Sequence, residues 1–290
     1  MIFRHPSAEI YIPDGSPVDE ALRRTTHLGI SAHQDDLEIM AVDGILHCYE
    51  TVGDWFAGVV LTDGRSSPRS GIFSTFSDDE MMHTRYAEQK RAAIVGNYSA
   101  QVLLGYGGAD VKRPHQPELM ADLVSLLQAT HPDVVYTHNL ADKHPTHVAA
   151  ALRVIEAMRQ LPRESRPAHV YGCEVWRDLD WMPDQLKVVF DCSSRINLQE
   201  ALLGVFDSQI SGGKRYDLAT MGRRLANATY FVPRTGHFES HSTNAATHLA
   251  FAMDLTPLVL DESLGIAEYV CGYIQCFEQD VREGIEALMG

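Results

Sequence analysis

His33 and Asp36 stand three residues apart with a second carboxylate, Asp35, between them, and further along the chain His144 and His147 repeat the same spacing. Two imidazoles and one carboxylate with open coordination positions form a catalytic zinc arrangement. Such an ion takes the pKa of a bound water from about 15.7 toward about 7. Hydrolysis of an amide also needs a base for the water's proton, a donor for the leaving amine and positive charge facing the oxyanion. Asp35, His144 and the metal can fill those roles. Taken singly, Asp35 and Asp36 read as helix-capping carboxylates, and His144 with His147 as a surface pair. What favours chemistry is that two separate strand ends deliver ligand-type residues together.

The elements that must do this follow from the apolar pattern. Residues 27–32 form an extended run that stops at His33-Gln34-Asp35-Asp36, and apolar residues then recur at helical spacing over 37–49. The unit repeats: a buried-strand run at 56–61, a loop, and a helix over 79–95. A strand at 101–104, a helix over 117–128, a strand at 133–136 and a helix over 147–158 complete the series. Alternation of this kind means a parallel sheet with crossover helices. In a doubly wound sheet the loops at the carboxyl ends of the strands share one edge, where ligands bind, so His33 and His147 can meet. Beyond Leu161 the pattern loosens into extended pieces at 170–176 and 186–190 and helical stretches from Leu198, Tyr216 and Glu262. The expected organisation is a lead-in over 1–26, a catalytic α/β core over 27–165 and a C-terminal α+β extension over 166–290 that completes the pocket.

Composition bounds the function. Apolar residues make up 45% and charged residues 22% of 290, the mixture of an ordinary globular protein. A formal net charge of -15 argues against nucleic acid and anionic membrane surfaces as partners. No stretch is apolar for long enough to span a bilayer and the first residues lack a signal-peptide core, so a cytoplasmic location is expected. The five cysteines are scattered, which fits buried thiols better than a disulfide framework. The sequence leaves a homo-oligomer open.

The segment Ala32-His33-Gln34-Asp35-Asp36-Leu37-Glu38-Ile39 resembles the Ala-His-Pro-Asp-Asp-x-Glu signature of the PIG-L/LmbE-like N-acetylglucosaminyl deacetylases. Val60-Leu61-Thr62-Asp63-Gly64, Thr84-Arg85-Tyr86-Ala87-Glu88, Pro132-Asp133-Val134-Val135 and His144-Pro145-Thr146-His147 are similar to that family's further motifs, in its order. A weaker likeness continues through Glu174-Val175-Trp176 and Ser208-Gln209. The resemblance implies a Rossmann-like core and zinc-dependent removal of an acyl group, usually acetyl, from an amino sugar or related small-molecule conjugate. It implies His33, Asp36 and His147 as zinc ligands and Asp35 as general base. It further implies that His144 protonates the leaving amine or steadies the oxyanion, and that Arg85 faces the substrate; Thr62-Asp63-Gly64, at the end of the second strand, reads equally as a structural turn or as a rim of the pocket, with Asp63 the substrate-binding candidate. Fe2+ is the alternative ion.

Two residues depart from the family pattern. Gln34 replaces the usual Pro, and Thr146 replaces the usual Asp, which removes a carboxylate that could keep His144 protonated; Asp142 is the candidate substitute. Arg85 has a plainer reading as an ion pair with Glu88 on its own helix. The polar, basic loop 65–77 reads as an ordinary loop, with gating of the site or reception of an anionic substrate as the functional alternative. His138, His237, His241 and His248 carry no distinguishing signal, and Gly105-Tyr106-Gly107-Gly108 lacks the order of a nucleotide loop. Rival functions are a non-haem iron oxygenase, which uses the same ligand set, and a sugar-conjugate-binding protein that has lost its chemistry.

Overall fold

A computed structural model describes residues 2–231 and 246–289. Eight strands form one sheet: β1 (Glu9–Tyr11), β2 (His27–Ser31), β3 (Phe56–Thr62), β4 (Ala100–Tyr106), β5 (Val134–His138), β6 (His169–Cys173), β7 (Val188–Asp191) and β8 (Leu249–Asp254). Their order is β1-β4-β3-β2-β5-β6-β8-β7. The five strands from β4 to β6 run parallel, while β1 joins one edge and β8 and β7 the other in antiparallel register. The mostly parallel, helix-flanked α/β sheet expected from the alternation of apolar runs is therefore what the chain forms.

The central strands are continuous apolar runs because both faces are covered; β3 and β4 are buried at every residue. Alternate side chains serve opposite layers. Ala57, Val59 and Leu61 pack with the helices Pro117–Thr130 and Pro145–Arg159. Phe56 and Val60 pack with Leu37, Ile45, Met82 and Ala93 from the helices on the other face. Gly29 keeps β2 close to this layer, since a Cβ there would meet Leu37 and Phe56 at 2.8 Å.

From β2 the chain builds outward through β3 and β4, then returns to place β5 on the opposite side of β2. The crevice between the carboxyl ends of β2 and β5 is thus the topological switch point, where ligands bind in such sheets. His33 follows β2; His138 ends β5; His144 and His147 follow it.

The helix expected over 37–49 is two pieces, Asp36–Met40 and Val42–Glu50, meeting at Ala41. The buried Arg224 guanidinium donates to the carbonyls of Glu38 and Ile39 at 3.0 and 3.1 Å. Those carbonyls would otherwise serve the helical turn, so a side chain from the helix Tyr216–Tyr230 sets the break. Two strands lack a counterpart in the sequence reading. β1 lies in the lead-in, and β8 (Leu-Ala-Phe-Ala-Met-Asp) inserts between β6 and β7 as a run buried over its first five residues.

Candidate active site

At the switch point three side chains converge. His33 Nδ1 lies 3.2 Å from Asp36 Oδ2 and 3.2 Å from His147 Nε2, and His147 Nε2 lies 3.4 Å from Asp36 Oδ2. A tetrahedral ion with bonds of about 2.0–2.1 Å separates its ligands by roughly 3.3 Å. The triangle therefore has the edge length of one face of a zinc coordination tetrahedron. The donor set fits as well, because two imidazole nitrogens and a carboxylate oxygen are ordinary zinc ligands.

Local structure explains the convergence. Asp36 opens a helix, and its Oδ2 accepts the His33 backbone N–H at 2.7 Å, fixing the loop between them. His147 sits in the first turn of the helix Pro145–Arg159, started by Pro145 with its fixed φ. Its other ring nitrogen, Nδ1, lies 3.4 Å from Asp142 Oδ2. Asp142 is itself held by N–H groups of His144 at 2.8 Å and Trp176 at 3.0 Å. A carboxylate on Nδ1 fixes the tautomer and leaves Nε2 free as a ligand. Asp142 thus orients His147; toward His144 it contacts only the backbone, which is not the role the sequence reading considered for it.

Burial raises the affinity of Asp36 for a proton, yet His147, His138 and His33 outweigh it and hold the carboxyl far below the usual range. Burial likewise works against protonation of His147, but Asp36 and Asp142 raise it above the ordinary value. A buried anion facing imidazoles is an arrangement that could hold a cation.

Asp35 occupies the left-handed region at φ 82°, uncommon outside glycine. Its N–H donates to Gln89 Oε1 at 3.2 Å and its Oδ2 lies 3.2 Å from Arg85 Nη2. Burial raises its pKa to about 6, opposed by Arg85 and reinforced by Asp36. Gln89 also donates to the buried Glu38, which accepts from Tyr98 OH at 2.8 Å and whose pKa burial pushes up to about 8.

Arg85 is 1% exposed. It contacts Glu88 Oε2 and Ser208 Oγ, both at 3.3 Å, and the Gln34 carbonyl. The expected pair with Glu88 is therefore present, while the same guanidinium holds the loop carrying Asp35 and lines the cavity. Gln34 donates its side-chain amide to the Thr62 carbonyl at 2.9 Å, tying the loops after β2 and β3 together. His144 stacks on His147 with ring centroids 4.5 Å apart and meets Trp176 at 5.3 Å. Burial, then His147 and His33, lower its pKa to about 4, so its imidazole is neutral near pH 7.

These residues open into a cavity of about 300 Å³ lined by His33, Asp35, Asp36, Asp63, Arg85, His144 and Thr146, among others. A second space of about 210 Å³ adjoins it, sharing Asp35, Asp36, Trp176 and Tyr216. Asp63, at the end of β3, binds the N–H of Arg65 at 3.1 Å and lies on the rim.

Sequence reasoning gave no weight to several of these residues. His138 stacks on His147 with centroids 4.0 Å apart, and its Nε2 lies 3.4 Å from Asp36. That nitrogen accepts the Ala32 N–H at 2.8 Å, so its lone pair is engaged and His138 backs the site instead of joining the triangle. Lys214 and Tyr216 enter from beyond the core, in a region without strong pattern. His248 lines neither cavity, and His237 and His241 lie outside the described residues.

Residues 28–158 match the family described as PIG-L: GlcNAc-PI de-N-acetylase. No curated protein matches the chain. Among solved structures, it resembles the 4-carboxy-2-hydroxymuconate hydratase of Pseudomonas putida KT2440 (TM-score 0.60, 18% identity, 80% of this chain and 95% of that one). It also resembles the N,N'-diacetylchitobiose deacetylase of Pyrococcus horikoshii (TM-score 0.57, 19% identity, 71% and 79%). A third similar structure is the A40926 pseudoaglycone deacetylase (TM-score 0.55, 14% identity, 80% and 97%). At these identities the likeness is one of fold. Among the described residues no helix is long and apolar enough to cross a membrane.

Proposed function

We propose that this chain, which matches the PIG-L family over residues 28–158, is a zinc-dependent deacylase that removes an acyl group, acetyl in the simplest case, from the amide nitrogen of a GlcNAc-type sugar or related small-molecule conjugate. The observation that carries the reading is the triangle of His33 Nδ1, Asp36 Oδ2 and His147 Nε2 at 3.2–3.4 Å, with Asp35 beside it. Two of the solved structures it resembles are named as deacetylases, one of N,N'-diacetylchitobiose and one of A40926 pseudoaglycone, which supports the same reading.

His33, Asp36 and His147 would hold the zinc ion, which would supply Lewis-acid polarisation of the amide carbonyl and acidification of water. The chain's own groups do the remaining work. Asp35, buried and ionised near neutral pH, takes the proton of the attacking water and returns it to the departing amine nitrogen. Arg85 keeps the Asp35 carboxylate in place and favours its charged form. His144 is neutral at that pH, so in this reading it offers an N–H to the developing oxyanion, and the proton for the amine comes from Asp35. Trp176 and Tyr216 supply apolar wall beside the reacting atoms. Asp63 on the rim and Arg85 within contact the substrate.

The test is amine release from N-acetylglucosamine and N-acylated conjugates by the zinc-loaded protein and by its chelator-stripped form. Zinc-dependent release supports the reading. Oxygen consumption with a keto acid and no amine release would replace it with the iron oxygenase.

A further inference from the structure

The chain has five lysines: Lys90, Lys112, Lys143, Lys187 and Lys214. Lys90 pairs with Glu9, and Lys187 with Asp184 at 2.7 Å. The other three have no carboxylate partner among the described residues, although the protein carries a net charge of -15. All three line the two spaces that meet at Asp35 and Asp36: Lys112 and Lys214 the larger, Lys143 the smaller.

We propose that the amide substrate carries an anionic group, a carboxylate or a phosphate, received by Lys112, Lys143 and Lys214 around the opening above Asp35 and Asp36. This rests on the deacylase reading and adds the substrate's charge to it.

The lysines come from three separate segments. Lys112 ends the short helix Gly108–Lys112, whose Gly108 and Ala109 form cavity wall. Lys143 immediately precedes His144. Lys214 lies over the rings of Trp176 and Tyr216, at 5.0 and 5.7 Å from their centroids, the two aromatic side chains among those shared by both spaces. Contact with two aromatic faces holds that ammonium at the wall between the spaces.

Three arginines of this region are paired with carboxylates, whereas Arg223, which lines the smaller space, donates to the Val175 carbonyl and has no carboxylate pair among the described residues. Arg65 is bound to Asp63 and Asp79, Arg69 to Asp78, and Arg85 to Asp35 and Glu88. The basic loop that drew attention in the sequence is therefore spent on internal pairs, and the cationic groups left along the two spaces are the three lysines and Arg223. Among the described residues none of the three ammonium groups is paired with a carboxylate, although Asp35, Asp36 and Asp63 line the same spaces. An anionic ligand supplies such a partner and is drawn in by their field.

The experiment compares three sugars with the zinc-loaded protein: N-acetylglucosamine, its 6-phosphate, and N-acetylmuramic acid, which bears a carboxylate. Amine release is measured at low salt and at roughly 0.5 M salt, where charges are screened within a few ångströms. Binding is measured in parallel by calorimetry on zinc-loaded Asp35→Asn. At least one acidic sugar is expected to exceed the neutral one about tenfold in kcat/KM and in affinity, through KM more than kcat. The preference should vanish at high salt and in the Lys112→Gln, Lys143→Gln, Lys214→Gln triple variant, with single variants intermediate. Which acidic sugar leads separates phosphate from carboxylate. Equal handling of all three sugars, or a preference that survives the triple variant, overturns the proposal and leaves the deacylase standing. Lysine-dependent binding of an acidic sugar with no amine release from any of them does the reverse. Neither binding nor release removes both.

Discussion

His33 Nδ1 and His147 Nε2, 114 positions apart in sequence, face each other at 3.2 Å with Asp36 Oδ2 beside both. Two imidazole lone pairs and a carboxylate crowded in this way repel unless a proton or a metal ion lies between them. The carboxylate that orients His147 from behind, Asp142, suggests a metal, because it commits the His147 proton to Nδ1.

Asp142→Ala should therefore weaken zinc binding roughly 10–100-fold while the fold is retained, the range seen when an orienting partner is removed. Competition with a chromophoric chelator measures it. Unchanged affinity would mean that Asp142 serves only the backbone N–H groups it binds.

Replacing Asp35 by Asn separates chemistry from metal binding. The variant should keep its zinc and lose roughly 10²–10⁴-fold in kcat, as read from amine release and metal content on the same sample. Full activity would identify the chain as working without this base, and absence of turnover in the parent protein would favour the binding-only alternative.

The pH profile follows from the direction of the Asp35 shift. Its pKa is raised to about 6 by burial, with Arg85 pulling it down. The proton-accepting carboxylate is lost as pH falls, and a bound cation would lower the pKa further. Therefore kcat/KM should drop on the acid side with an apparent pKa no higher than about 6 in the parent. Arg85→Gln should move that limb upward and reduce activity. A limb that stays in place would show that another group controls it.

Glu38 makes a stability prediction of opposite sense to the usual carboxylate. Its folded pKa is raised by burial from 4.5 to about 8, so the folded state holds a proton that the unfolded chain releases. Its contribution is fully present below about pH 4.5 and is lost as pH rises toward 8. Denaturant midpoints followed from pH 5 to 8 should decline less steeply in Glu38→Gln than in the parent. Parallel slopes would contradict the assignment.

Arg224 joins the C-terminal region to the metal loop by donating to the Glu38 and Ile39 carbonyls and, at 2.6 Å, to Gln199 Oε1. Arg224→Ala leaves these buried acceptors unpaired at about 1–3 kcal/mol each. It should lower the thermal midpoint and weaken zinc binding together, because Asp36 opens the helix that Arg224 terminates. A stable variant with intact zinc affinity would show that water replaces the guanidinium.

Much of this architecture can be read from local pattern. The runs that became β2, β3 and β5 are apolar because both faces of each strand are covered, and their carboxyl ends fix which loops share an edge. His33 and His147 could be placed on that edge without coordinates. The break at Ala41 could not, because its cause is Arg224, 183 positions beyond Ala41 in the chain and with no spacing signal. The strand β8 pairs only with elements far upstream, and the orientation of Asp142 toward His147 instead of His144 depends on where Trp176 lies. The lysines were invisible as a group because their common feature is the lack of a carboxylate partner among the described residues, which exists only in the folded molecule.

The central claim is one ion held by His33, Asp36 and His147. Elemental analysis of the zinc-loaded, dialysed protein beside His147→Ala tests it most directly: the account expects one zinc per chain in the parent and close to none in the variant. A parent that retains no zinc, or a variant that keeps a full equivalent, would contradict it.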